Sequence, residues 1–149
     1  MRVCLFLINL ILSTFILNAN NIKNSFLPTL EGEKKELSCT ITFKENTLSG
    51  FCIIKKENNK YIGTIINEFG IKSFDFKYDI KRNKTKIIYV IDFIDKWYVK
   101  RIIKKDLNFL FSNKQANSNK NREIIYNESH IILTNKRYNI RYSLKPFIK

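Results

Sequence analysis

From Leu37 the chain alternates apolar and polar residues with a period of two. Cys39, Ile41 and Phe43 interleave with Ser38, Thr40 and Thr42, the pattern of a strand with one buried face. Residues 44–47 interrupt it, and Leu48, Gly50, Cys52 and Ile54 resume it. Placing Glu45 and Asn46 at the turn sets Phe43 opposite Leu48, Ile41 opposite Gly50 and Cys39 opposite Cys52. Residues 61–66, 71–78 and 85–91 read as three further strands, joined by polar stretches at 57–60, 67–70 and 81–84. Phe74, Phe76 and Tyr78 share one face of the fourth, and Gly70 supplies the turn angle before it. Five strands on short connections predict an antiparallel meander.

After Ile91 the period lengthens. Asp92 is placed to cap a helix over 93–111. Ile94, Tyr98, Ile102 and Phe109 form a stripe, with Val99, Ile103, Leu107 and Leu110 beside it. Lys96, Lys100, Lys104, Lys105 and Asn108 gather on the other side, so the helix is amphipathic with a basic face. Such a helix covers a sheet or lies on a membrane. Residues 112–122 form a polar loop. Residues 123–126 and 130–134 are β-rich, as one bent strand or two, and 135–136 reads as a two-residue turn. Residues 137–144 close the domain with Tyr138, Ile140, Tyr142 and Leu144 on one face. The fold class is α+β: a curved antiparallel sheet of about seven or eight strands under one main amphipathic helix.

The amino terminus bears on compartment. Residues 1–19 run from a positive start through a short apolar stretch to Leu17-Asn18-Ala19, the layout of a secretory signal. Cys4 lies too early to become a lipidated amino terminus, so a lipid anchor is not expected. Residues 20–36 read as a flexible segment and 37–149 as one domain. The expected location is the periplasm or cell envelope, as a monomer. Lys and Arg number 27 against 13 acids, a net charge of +14. The lysines are scattered rather than clustered. The charge therefore argues for solubility and for attraction to an acidic membrane surface, and not for nucleic acid.

Little of the chain suggests catalysis. His130 is the only imidazole, no Gly-x-Ser-x-Gly elbow exposes a serine, and strand alternation separates Ser129 from His130. Four scattered glycines build no phosphate loop. Glu68 and Asp75 sit at the tip and outer face of one hairpin, suited to neutralising Lys72 and Lys77 rather than to flanking a scissile bond. No catalytic residue, metal or cofactor is assigned. Cys39 facing Cys52 permits a disulfide in an oxidising compartment, and two packed thiols otherwise.

The order "LSGFCIIKK…YIGTIINEFGIKSFDFKY", then "KKDLNFLF", then closing strands, resembles small exported proteins of the Bacteroidetes, themselves similar to the periplasmic lipoprotein-carrier fold. That resemblance implies an incompletely closed half-barrel whose helix-covered concavity holds acyl chains. Ile62, Ile66, Phe74, Phe76, Trp97 and Ile102 are then the side chains expected near the cavity. The expected function is non-enzymatic binding of an acyl chain or other apolar ligand, in lipoprotein or lipid trafficking. The alternative is an envelope interaction module with a filled core and a basic docking surface.

Overall fold

The computed structural model describes residues 26–44, 46–112, 118–127 and 129–147. The leader and Cys4 lie outside them. Eight strands form one antiparallel sheet: β1 Lys34–Phe43, β2 Asn46–Glu57, β3 Lys60–Asn67, β4 Lys72–Asp79, β5 Lys84–Val90, β6 Arg122–Tyr126, β7 Ile131–Asn135 and β8 Ile140–Pro146. Their order is β5-β4-β3-β2-β1-β8-β7-β6, and the sheet curls into a half-barrel. A 15-residue helix, α1, Trp97–Phe111, packs chiefly on β5 and also touches β4, β6 and β7. It thereby bridges both edge strands and closes the open side of the curl, a way of covering edges that would otherwise template pairing.

Local chemistry explains the turns. Asn58 and Asn59 both adopt positive φ, 51° and 56°, giving a two-residue hairpin whose twist suits its strands. In the β3–β4 turn, Asn67 Oδ1 accepts the amides of Phe69 (3.0 Å) and Ile71 (2.9 Å), and Gly70 takes φ 77°. That turn is as expected from sequence, and Asp75 behind it pairs with Lys72 at 3.1 Å.

Three details differ from the sequence reading. Lys44 takes φ 53° directly after Phe43, so Phe43 pairs with Asn46 and the β1–β2 register moves by two residues. The shift keeps the same side chains buried but sets Cys39 opposite Gly50 and Cys52 opposite Leu37. The two cysteines are therefore diagonal neighbours rather than opposed; both are buried free thiols, and burial pushes Cys39 up to about 12. Asp92 opens a short 3₁₀ turn, Asp92–Ile94, instead of capping the helix. Asp95 and Lys96 interrupt the helical path, and α1 begins without a side-chain cap. Finally, β7 continues through Asn135, so residues 136–139 make the last turn and Tyr138 lies in it rather than on the β8 face.

The amino-terminal segment is docked where it is described. Phe26 and Leu27 are buried with Leu110 and Phe111 of the helix and Leu144 of β8. The Glu33 carboxylate holds the turn before β1 by accepting the amides of Leu30 (2.9 Å) and Thr29 (2.6 Å). The Leu30 amide, the Lys35 ammonium and the Thr29 amide lower its pKa to about 2.

Aromatic rings fill the space between sheet and helix. The Phe111 ring lies 5.4 Å from Phe76, 5.3 Å from Tyr78 and 5.7 Å from Tyr61. Irregular pairing at Ile65/Ile66 and at Asp75/Phe76 adds curvature on this side. Gly63 lies directly under the Phe76 ring, and a Cβ there would come within 2.1 Å of it. Gly63→Ala is therefore expected to destabilise the fold by about 1–3 kcal/mol, because the ring is held by Phe74 and Phe111 and has little room to retreat. Urea denaturation checks this, and unchanged stability would show that the ring is free to move.

Candidate functional site

On α1, position 106 falls between the apolar positions 102, 103, 109 and 110, yet it carries a carboxylate. Asp106 is 0% exposed. A buried charge is tolerated only when donors replace its water, and three elements of the sheet provide them. Arg122 Nε, at the start of β6, donates to Oδ1 at 2.6 Å. Asn135 Nδ2, at the end of β7, donates to Oδ1 at 2.7 Å and to Oδ2 at 3.0 Å. The Tyr142 hydroxyl, in β8, donates to Oδ2 at 2.8 Å. Burial, and then the Asp106 charge, hold the Tyr142 hydroxyl well above its ordinary pKa, so it remains a donor.

Arg122 and Asn135 of this cluster also line a groove of about 380 Å³ between the first turns of α1 and the β6–β7 end of the sheet with the 136–139 turn. Arg101 and Lys105 stand along the helix wall, one turn apart. Arg122 and Arg137 stand on the sheet side, with Asn121 and Asn135 between them. Trp97, Tyr98 and Tyr138 form the aromatic part of the lining, and the Arg137 guanidinium sits 5.4 Å from the Tyr138 ring centre. Among the described residues, no acidic side chain lines the groove. The Arg122 side chain is 14% exposed. With its Nε–H held by Asp106, it has its two terminal amino groups left for a ligand. The far end is tied down by main-chain contacts, Asn119 N to Arg122 O at 2.6 Å and Lys136 N to Asn121 O at 2.8 Å.

The cavity expected from sequence is a different and smaller space. Beneath the helix lies an apolar cavity of about 40 Å³, lined by Phe74, Phe76, Ile103 and Leu107 among others, with Cys39 and Cys52 at its sheet side. Phe74 and Phe76 are thus placed against this space. Ile62 and Ile66 are not: strand alternation buries Gly63 and Ile65 and turns Ile62 and Ile66 to the outer face of β3. Trp97, 72% exposed, and Ile102 line the basic groove instead, because the helix starts at Trp97 and its first turns overhang the sheet. Ser129 and His130 also differ from expectation. Ser129 lies in a bend rather than a strand, and its Oγ is 2.9 Å from His130 Nδ1. Asn127 Nδ2 is 3.1 Å from His130 Nε2 on the other side of the ring.

The groove residues were legible in part. A carboxylate inside an apolar helical stripe is a signal available in the sequence, since its burial demands a cationic or multiply donating partner. The identity of those partners was not, because Arg122, Asn135 and Tyr142 come from three separate strands. Among the described residues, no helix is long and apolar enough to cross a membrane. Neither a protein-family model nor a curated protein matches the chain.

Asp106→Ala is expected to cost about 3–5 kcal/mol, since it leaves buried donors of Arg122, Asn135 and Tyr142 unpaired. Tyr142→Phe, which leaves Asp106 with its other donors, is expected to cost about 1 kcal/mol. Chemical denaturation of the two variants beside the parent checks the contrast. Equal, small losses would show that solvent reaches the cluster.

Proposed function

We propose that the chain is an exported, non-enzymatic binding module that docks on acidic lipid surfaces of the cell envelope through its basic, aromatic-edged groove. The observation that carries this reading is the contrast between two of its concavities. The apolar one, about 40 Å³, is little larger than a water molecule's share of liquid volume, about 30 Å³. The polar one, about 380 Å³, falls within the roughly 300–1,000 Å³ typical of ligand sites, and four cations line it.

Its surroundings support the same reading. Trp97 and Tyr98 are exposed beside Lys96, Lys100, Arg101 and Lys105. Amphipathic rings next to cations are what headgroup-level binding requires. Each lysine or arginine near an anionic surface contributes about 1 kcal/mol.

A second reading keeps the carrier role. The curled sheet and helix-covered cavity are in keeping with a lipoprotein-carrier-like half-barrel, and α1 would have to lift away from Phe74 and Phe76 to admit an acyl chain. A lipid retained by the purified protein in native mass spectrometry would favour it instead.

Vesicle co-sedimentation tests the docking proposal. The protein is expected to bind phosphatidylcholine vesicles containing phosphatidylglycerol at low salt and to ignore phosphatidylcholine alone. Near 1 M salt, where charges are screened beyond about 3 Å, binding is expected to be lost. The double variant Arg101→Glu with Lys105→Glu should weaken it at least about tenfold with unchanged thermal stability. Binding that is indifferent to salt, or equal on neutral vesicles, would overturn the proposal.

A further inference from the structure

We infer that the groove is a binding site for a phosphate monoester, with the terminal amino groups of Arg122 as its central oxyanion donors. The first ground is pre-organisation. Most surface arginines lose side-chain freedom when they bind an anion. Arg122 has already lost it, because Asp106 holds its Nε at 2.6 Å and Asn135 fixes the carboxylate in turn. A planar guanidinium held at its back edge presents a fork matched to a tetrahedral oxyanion. It does so in a partly desolvated position, where charge pairing is stronger than on an open surface.

The second ground is charge. Arg101, Lys105, Arg122 and Arg137 line the groove against one carboxylate, Asp106, which lies behind Arg122. The surplus suits a dianion better than a carboxylate monoanion. The third ground is size and surface. About 380 Å³ exceeds what a bare ion occupies, and Trp97 and Tyr138 offer faces for a small organic skeleton beside the phosphate. Asp106 does not face the ligand; it holds the residue that does.

The inference rests on the docking reading only for the source of the phosphate, which is either a lipid headgroup or a free phosphate ester. Trp97 is the only tryptophan of the chain and lines the groove, so its fluorescence reports on the site. Titration with glycerol 3-phosphate at low salt is expected to give a saturable change in that emission. Affinity should fall below about pH 6, where the phosphate monoester dianion takes up a proton and becomes a monoanion. Arg122→Lys, which keeps the charge but loses the fork, should weaken binding at least about tenfold. Because Arg122→Lys can also disturb the buried cluster, Arg101→Gln, at an exposed position, provides a second variant expected to weaken binding without loss of fold.

Vesicles containing phosphatidate supply the other arm. Response to free glycerol 3-phosphate supports a soluble ester, and response to phosphatidate vesicles alone supports a headgroup. Sedimentation with phosphatidylglycerol and phosphatidate vesicles alike, with no response to glycerol 3-phosphate, would overturn the monoester site and leave docking standing. Failure of both vesicle types and of glycerol 3-phosphate would overturn both. An equal response to acetate would also overturn the monoester assignment.

Discussion

A fully buried carboxylate on α1 ties that helix to the far side of the sheet. Asp106 needs several donors to replace lost water, and it finds them on β6, β7 and β8. The other end of the helix–sheet contact is apolar, where Phe111 meets Phe76 and Tyr78 of β4. These two attachments differ in kind. The aromatic one is non-directional packing, whereas the hydrogen-bonded one is directional and constrains the rotation and register of α1 across the open side of the curl. The groove exists because that polar attachment draws β6 and the 136–139 turn beneath the first turns of the helix.

Much of the sheet could be read from period-two alternation, because its hairpins are short and local. The meander β1–β5, the Asn58-Asn59 turn and the Gly70 turn needed only neighbouring residues. Errors arose where one residue's conformation decides a register: Lys44 at positive φ moved the β1–β2 pairing by two and separated Cys39 from Cys52. The placement of Ile62 and Ile66 failed differently. Both are apolar, but the pleat turns them outward, and the inward position between them belongs to Gly63, left without a side chain so that Phe76 can lie over it. Hydrophobicity without phase is a poor guide on a strand.

The groove was harder to foresee because its chemistry is non-local. Arg122 and Asn135 sit in stretches that look like polar loop and turn, and only the return of β7 and β8 alongside β1 brings them under the helix. A basic helical face suggested a diffuse attraction to acidic surfaces. The fold turns part of that charge into a concave arrangement in which one arginine is oriented from behind and Arg101, Lys105 and Arg137 line the same groove. The expected apolar concavity, by contrast, is nearly filled by Phe74, Phe76, Leu107 and their neighbours. Under the proposed function, recognition lies outside the helix–sheet core, not within it.

The site depends on Asp106 holding Arg122 in place, and the Arg122 side-chain Nε–H reports this directly. Nuclear magnetic resonance of ¹⁵N-labelled protein should show that proton as a slowly exchanging signal, distinct from the exposed Arg101 and lost in Asp106→Asn. An Arg122 Nε–H that exchanges as fast as that of Arg101 would show that Asp106 does not hold the guanidinium.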